Sequence, residues 1–175
     1  GRVWRKEELE TVIDICLRHD VLIISDEIHN DLIMPGYEHT VLAAASEEAA
    51  GNMLICTAPS KTFNLAGLAT ANIIIPHPKL KAHFHRTATQ NGIFSVNCVG
   101  LKACEIAYTE GKDWLEQVIG LIYHNHLELK SYLQEHLPQI KVFDLEGTYL
   151  QWMDFHALGM SQVELEKFLR TEALC

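Results

Sequence analysis

The chain has 175 residues, of which 48% are hydrophobic and 21% are charged, and its formal net charge is −9. This composition is typical of a globular protein, and the acidic balance argues against nucleic-acid binding, which requires a basic surface. No apolar run is long enough to span a bilayer, and we expect neither membrane association nor a signal peptide. The five cysteines have no regular spacing. We therefore expect reduced thiols and a cytoplasmic protein.

Helical and strand patterns alternate in the first third of the chain. Residues 7–19 carry apolar side chains at helical spacing and predict a helix. The apolar run 21–25 (VLIIS) follows almost directly and predicts a parallel strand covered on both faces. After a polar loop over 30–40, the alanine-rich residues 41–50 predict a short helix. The run 53–56 (MLIC) predicts a second buried strand.

The later elements are predicted from periodicity, capping residues and breakers. A third strand over 70–75 ends at Pro76. The helices predicted after it are, in chain order, 79–89, a helix capped by Ser95 that runs to about residue 108, a long amphipathic helix over 114–136, and 162–170 capped by Ser161. Two further strands are predicted over 141–143 and 149–155. We place a domain boundary along the long helix.

One lysine lies in a structured loop directly after the second strand, in residues 57–68 (TAPSKTFNLAGL). Pro59, Asn64 and Gly67 interrupt regular structure there. Lys61 has small and apolar neighbours in sequence. Because desolvation lowers the pKa of a lysine, its neutral amine could attack an aldehyde. A solvated lysine on a polar turn is the simpler alternative, and Lys61 alone does not decide between them.

Acidic residues follow the first strand. Asp26 and Glu27 come at its carboxyl end, where open α/β sheets hold their ligands, and His29 follows. A lysine for a Schiff base and a buried carboxylate that keeps a pyridine nitrogen protonated are what pyridoxal 5'-phosphate (PLP) needs. Lys61 and Asp26 together therefore predict a PLP site.

Two segments resemble the signatures of fold-type I PLP-dependent enzymes: residues 25–31 (SDEIHND) and 58–68 (APSKTFNLAGL). The resemblance is to the class I/II aminotransferase family and, within it, to the cystathionine β-lyase branch of C–S lyases. The 35-residue separation of Asp26 and Lys61 also suits this family. Residues 1–4 (GRVW) resemble the end of a further family segment, so the resemblance extends over essentially the whole chain.

The resemblance implies an α/β fold of the aspartate aminotransferase type. Residues 1–113 would be the C-terminal half of the large, PLP-binding domain. Residues 114–175 would be the connecting helix and the start of the α+β small domain. Family chains are more than twice as long, so we expect an internal fragment that does not turn over substrate alone. The family is commonly homodimeric, which implies a homodimer for the full-length protein.

The resemblance also implies roles for five residues. Lys61 corresponds to the lysine that bonds the cofactor aldehyde and later moves the α-proton of the substrate. Asp26 corresponds to the carboxylate paired with the pyridinium nitrogen. His29 stands where most aminotransferases have a tyrosine that contacts the ring hydroxyl. Ser60 and Thr57 are candidates to hydrogen-bond the cofactor phosphate.

Two departures from the aminotransferase pattern favour a lyase: His29 replaces the tyrosine, and Ala69 replaces a phosphate-binding arginine. Ala58 replaces a serine, and with Ala69 it argues against phosphate binding of the aminotransferase kind. The implied reaction is β-elimination from a sulfur-containing amino acid such as cystathionine, which gives a thiol, pyruvate and ammonia. An aminotransferase is the alternative enzyme, and a lyase-like regulatory protein that binds a transcription factor is an alternative of another class.

The histidines do not predict a metal site. His83 and His85 are two residues apart, as are His124 and His126. Because side chains two apart on a helix point to different faces, neither pair would share a metal ion.

Overall fold

The computed structural model describes residues 1–173, without the side chains of residues 47 and 48. The strands in this range are β1 (Ile23–Asp26), β2 (Met53–Thr57), β3 (Asn72–Ile74), β4 (Lys141–Val142) and β5 (Met153–Asp154). The α-helices are α1 (Lys6–Arg18), α2 (Leu42–Ala45), α3 (Glu47–Ala50), α4 (Pro59–Thr62), α5 (Pro78–Gln90), α6 (Cys98–Glu110), α7 (Lys112–His136) and α8 (Gln162–Thr171). Short 3₁₀ turns cover Ala66–Leu68 and His156–Leu158.

The first three strands form one sheet in the order β1-β2-β3. Strand β1 runs parallel to β2, with Asp26 opposite Cys56. Strand β3 runs antiparallel to β2, with Ile55 opposite Ile74. The parallel pairing confirms the prediction from the apolar runs, and β3 confirms the third strand predicted within residues 70–75.

One face of this sheet carries a hydrophobic core. Side chains at alternate strand positions point to it, so Ile23, Met53 and Ile55 lie together there. Ile13 of α1 and Leu42 of α2 complete the cluster. All five are at most 8% exposed. Burial of each such side chain contributes roughly 1.5–3 kcal/mol, so this face stabilises the sheet.

The opposite face is partly open within the described residues. Ile24 of β1 is 67% exposed and Ile73 of β3 is 39% exposed, whereas Leu54 of β2, which pairs with Ile24, is 8% exposed. The prediction that both faces of the 21–25 run are covered is therefore wrong for this chain. The physical reason is that Ile13 of α1 packs against Ile23 on one face, while no element within residues 1–173 covers Ile24 on the other.

Two helix predictions are corrected by the structure: one helix is divided in two, and another has a different N-cap. The stretch 41–50 forms two short helices, because Ser46 has an extended backbone and caps the second one by accepting a hydrogen bond from the Ala49 N–H. Helix α6 is capped by Asn97 and not by Ser95. The Asn97 side-chain oxygen accepts from the Gly100 N–H at 2.6 Å, while its Nδ2 donates to the Leu68 carbonyl at 2.7 Å.

Helix α7 has 25 residues and begins two residues before the predicted start. It follows Gly111, where an added Cβ would lie 2.5 Å from a ring carbon of Phe63 and 2.4 Å from the Ala107 carbonyl oxygen. Only glycine fits at this junction. No helix within residues 1–173 combines the length and the apolar character that a membrane span requires.

A short hairpin, β4–β5, is attached to α7 through a buried histidine. The predicted strands here are longer than the observed ones, which pair only Lys141 with Asp154 and Val142 with Met153. His126 of α7 is 5% exposed, and its Nδ1 lies 2.6 Å from Gln151 Oε1. This contact holds the segment between β4 and β5 against the long helix.

Candidate active site

The carboxyl ends of β1 and β2 lie side by side at one edge of the sheet. Asp26 ends β1 and pairs in register with Cys56, and Thr57 is the next residue of β2. Helix α4 starts two residues later, with Pro59 at its first position. Because proline is favoured at that position, the chain turns at once from strand to helix and brings Lys61 to the same edge.

Lys61 occupies the third position of α4 and is half-buried. The loop around it is held by backbone hydrogen bonds, from the Phe63 N–H to the Pro59 carbonyl and from the Leu65 N–H to the Ser60 carbonyl. Within the described part of the chain, no hydrogen-bond partner occupies the Lys61 ammonium. The lysine loop is thus held in part by its own backbone, and the Lys61 ammonium has no competing hydrogen bond within residues 1–173.

His29 lies close to both Lys61 and Asp26. Burial lowers the pKa of His29, the charge of Lys61 lowers it further, and the charge of Asp26 acts in the opposite direction. Its Nδ1 is buried, and no group in residues 1–173 hydrogen-bonds to it. The side chain therefore favours the neutral form and holds a buried polar atom that a ligand could satisfy.

Asp26 is exposed, although a buried carboxylate was expected at this position. Its contact within the chain is a long hydrogen bond of 3.3 Å from the Ile28 N–H. The expectation failed because Asp26 belongs to the open face of the sheet. The carboxylate is consequently available to a cation.

The buried carboxylate at this strand end is Glu27, which is 6% exposed. Glu27 accepts hydrogen bonds from Ser25 Oγ at 2.9 Å and the Leu42 N–H at 3.0 Å, and it lies 2.8 Å from His39 Nε2. Burial alone would raise the pKa of Glu27, but these contacts together lower it. Glu27 thus ties the loop after β1 to the core face, a role that strand alternation with Ile23 and Ser25 could have indicated.

The two candidate phosphate contacts lie beside the lysine. Thr57 is half-buried, and its Oγ1 accepts a hydrogen bond of 3.3 Å from Asn72 Nδ2. Ser60 is half-buried in the first turn of α4. The structure thus brings all five predicted site residues to one edge of the sheet. Their individual roles remain predictions.

Aromatic residues pack against the lysine loop from the far side. The Phe63 ring meets Tyr108 of α6 edge-on, with centroids 5.4 Å apart, and lies 5.9 Å from the Trp114 ring of α7. Such aromatic contacts stabilise by about 0.5–1.5 kcal/mol beyond burial. Sequence reasoning missed this cluster because its members are far apart along the chain and follow no common pattern.

The second half of the chain also reaches the site. Gly147 forms a bridge with Ile33, and the Thr148 N–H donates to the Leu32 carbonyl at 2.7 Å. The Tyr149 ring then lies with its centroid 5.5 Å from that of His29. The Tyr149 ring therefore lines the candidate site beside His29.

The available groups define what the site could hold. An amine, a carboxylate and a buried imidazole nitrogen suit a ligand with a carbonyl carbon, a cationic nitrogen and a polar substituent. Among residues 1–173, no cluster of three or more His, Cys, Asp or Glu side chains could hold a metal ion.

Comparisons with known proteins identify similar chains. The family model for aminotransferases of class I and II matches residues 1–174. Cystathionine beta-lyase PatB of Bacillus subtilis is 40% identical over 167 residues, which cover 95% of this chain and 43% of that protein. An aspartate aminotransferase of Bacillus sp. (strain YM-2) is 37% identical over 155 residues, or 85% of this chain and 37% of that protein.

The crystal structure of cystalysin from Treponema denticola, which contains a pyridoxal 5'-phosphate cofactor, is similar with a TM-score of 0.96. It is 44% identical and covers 99% of this chain, but only 44% of that protein is matched. The chain therefore spans less than half the length of the relatives it matches.

Proposed function

Because the chain belongs to the aminotransferase class I and II family, we propose that it forms part of a PLP-dependent C–S β-lyase. The observation that carries this proposal is the grouping of Lys61, Asp26 and His29 at the ends of two parallel strands. The similarity to a cystathionine β-lyase and to PLP-containing cystalysin supports it. The substrate class is a sulfur-containing amino acid such as cystathionine, and the products are a thiol, pyruvate and ammonia.

The residues present fit PLP. Lys61 offers an amine without a competing hydrogen bond, Asp26 offers an exposed carboxylate, and His29 Nδ1 lacks a partner within residues 1–173. Ser60 and Thr57 offer hydroxyl groups on the same loop. When bound, PLP supplies a protonated ring that accepts electrons from the α-carbon of an amino acid.

Each side chain has a separate task. The Asp26 carboxylate holds the proton on the ring nitrogen, because an adjacent anion favours the protonated form. Lys61 Nζ would hold the aldehyde group of PLP and would serve as the base for the α-proton of the substrate, and PLP would supply the electron-accepting ring that allows sulfur to leave the β-carbon as a thiolate. His29 would orient the PLP ring by contacting the hydroxyl group of that ring. Ser60 and Thr57 would orient the PLP phosphate.

Covalent labelling tests the proposal directly. The protein is incubated with PLP, reduced with borohydride and digested, and peptides are searched for a pyridoxyl mass. We expect the label on the peptide that carries Lys61 and its loss in Lys61→Arg. Lys102→Arg is the matched control, because Lys102 is exposed and forms an ion pair with Glu105. Absent label, or label spread over the exposed lysines, would overturn the proposal.

An aminotransferase is the second candidate, supported by the 37% identity to an aspartate aminotransferase. Ala69 argues against it, because it ends a 3₁₀ turn in a left-handed conformation and offers no guanidinium to a phosphate. Product analysis separates the two activities. Release of pyruvate and thiol without a keto-acid acceptor supports the lyase, whereas dependence on an acceptor supports the aminotransferase.

Three further properties complete the proposal. Residues 1–113 are assigned to the large domain and residues 114–175 to the connecting helix and small domain, of which residues 174 and 175 lie outside the described range. A homodimer is the expected assembly, since closed two-fold dimers are the commonest oligomers. A cytoplasmic location agrees with the free cysteines in the described range, Cys16, Cys56, Cys98 and Cys104.

A further inference from the structure

A carboxylate outside the five predicted site residues links the two segments that carry them. Asp31 Oδ2 accepts a hydrogen bond from Thr62 Oγ1 at 2.8 Å and a second one from the Tyr108 hydroxyl at 3.2 Å. We propose that Asp31 is a positioning residue that fixes the location of Lys61 relative to His29. This inference rests on the proposed PLP function and concerns how the site is assembled.

The location of the two partners gives the contact its meaning. Asp31 follows His29 by two residues, and Thr62 directly follows Lys61. The hydrogen bond therefore joins the turn that carries the histidine to the turn that carries the lysine. Thr62 is 1% exposed, so water cannot easily replace Asp31 as the acceptor for its hydroxyl. Asp31 acts on Lys61 through the backbone of Thr62 and does not contact the reacting atoms.

The charge pattern makes this contact strong. Within residues 1–173, no lysine, arginine or histidine forms an ion pair with Asp31. The Asp31 carboxylate accepts hydrogen bonds from two hydroxyl groups. Hydrogen bonds to an ionised acceptor are roughly twice as strong as those between neutral groups. Burial raises the pKa of Tyr108, and the charge and hydrogen bond of Asp31 raise it further, so the phenol stays protonated and remains a donor.

A second contact holds the residue after Thr62. The Phe63 ring packs against the rings of Tyr108 and Trp114, and Gly111 leaves the space that the Phe63 ring occupies. The two residues after Lys61 are thus fixed, one by a hydrogen bond and one by packing. Since the Lys61 side chain has no hydrogen bond of its own in the described chain, its direction depends on this fixed backbone.

Thr62→Val tests the inference most cleanly, because it keeps the shape of the side chain and the charge of Asp31 while removing the donor. The first readout is the rate at which PLP becomes trapped on Lys61 by borohydride, measured by peptide mass. The second is the pH at which the absorbance of the bound cofactor changes. Thermal unfolding provides the measure of stability.

The matched control is Thr70→Val. Thr70 is 5% exposed, and its hydroxyl donates to the Leu68 carbonyl at 3.2 Å, outside the Asp31 contact. Thr62→Ser, which restores the donor, is the rescue variant. We expect Thr62→Val to slow trapping about tenfold, as loss of one hydrogen bond to a charged group implies, and Thr62→Ser to stay within about twofold of the original protein.

The Asp31 side is tested in parallel. Asp31→Asn should slow trapping by a smaller factor, because the amide oxygen still accepts from Thr62 but carries no charge, and it should lower the pH of the absorbance change, because a nearby negative charge is lost. The double variant with Thr62→Val should be no slower than Thr62→Val alone, since both substitutions act on one shared contact. Tyr108→Phe, which removes the longer hydrogen bond, should have the smallest effect.

The outcomes separate the two proposals. If the original protein carries no label at Lys61, the PLP function itself is wrong, and the inference falls with it. If Lys61 is labelled but Thr62→Val behaves like Thr70→Val, with an altered melting temperature and an unchanged trapping rate, the positioning role is overturned. Slower trapping in Thr62→Val and Asp31→Asn with rescue by Thr62→Ser supports it.

Discussion

The two faces of the three-stranded sheet differ in what their side chains do. On the core face, Ile23, Met53 and Ile55 are buried against α1 and α2. On the other face, Ile24 and Asp26 are exposed. Successive residues of one strand are therefore in different environments, one set packed in the core and the other available for the proposed binding.

The same division separates two adjacent carboxylates. Glu27 points to the core face and is satisfied by three partners, whereas Asp26 points away and accepts one long hydrogen bond. The buried group is the structural one, and the exposed group is the candidate for cofactor chemistry. Burial by itself is thus a poor guide to function at this strand end.

The largest effect is expected at Lys61. In the full-length protein, Lys61→Arg should lower the lyase rate by at least about a thousandfold, because no other group supplies the covalent bond and the α-proton transfer. Stability should hardly change, since the Lys61 ammonium has no hydrogen bond in residues 1–173. Pyruvate release and urea unfolding of the same preparation measure both. A large loss of stability would contradict the division between the two faces.

The next effect concerns the core face. Met53→Ala should lower the free energy of unfolding by about 3 kcal/mol, because Met53 is 0% exposed and its removal leaves a cavity. Ile24→Ala on the open face is the control and should cost less than about 1 kcal/mol, since the side chain is already 67% exposed. Urea unfolding measures both. Equal losses would mean that another surface covers Ile24 in solution.

The paired carboxylates give a third prediction. Glu27→Gln should destabilise by about 2 kcal/mol, because the donors around it lose a charged acceptor. Asp26→Asn should change stability by less than about 0.5 kcal/mol and should abolish most lyase activity of the full-length protein. A reversed order of the two stability changes in urea unfolding would refute the assignment of roles.

Acidification should reproduce part of the Glu27 effect. The pKa of Glu27 is lowered from its ordinary value of 4.5 in the folded state. Its contribution to stability is therefore complete above pH 4.5 and is lost as the pH falls through the lower, folded-state value. Unfolding curves measured between about pH 6 and pH 3 should converge for the original protein and Glu27→Gln.

The smallest effect is a change in the titration of His29. Lys61→Met should raise the pKa of His29, because a positive neighbour is removed, and Asp26→Asn should lower it. NMR titration of the imidazole measures both shifts. A pKa that responds to neither substitution would show that these three side chains do not share one site.

The sequence predicted the parts of the fold that depend on local patterns. The apolar runs 21–25 and 53–56 gave β1 and β2, each of which ends one residue later than predicted, at Asp26 and Thr57, and the capping signal at Ser161 gave the start of α8. Lys61 was predictable because a lysine after a buried strand is unusual. These signals lie within a few residues of the feature they specify.

Long-range contacts could not be predicted in the same way. Ile24 has the composition of a buried strand residue, yet its exposure depends on which elements cover the sheet. Asp31 reaches Tyr108 across 77 residues of sequence, which no periodicity or spacing encodes. Asn97 and Ser95 are both good capping residues, and the contact with Leu68 favours Asn97.

Helix α6 touches the lysine loop at both of its ends. Asn97, its N-cap, binds the Leu68 carbonyl, and Tyr108 in its last turn contacts Phe63 and Asp31. The helix and the loop are therefore joined at two points. We expect the two segments to open together, so their amide hydrogens should exchange with solvent as one cooperative unit.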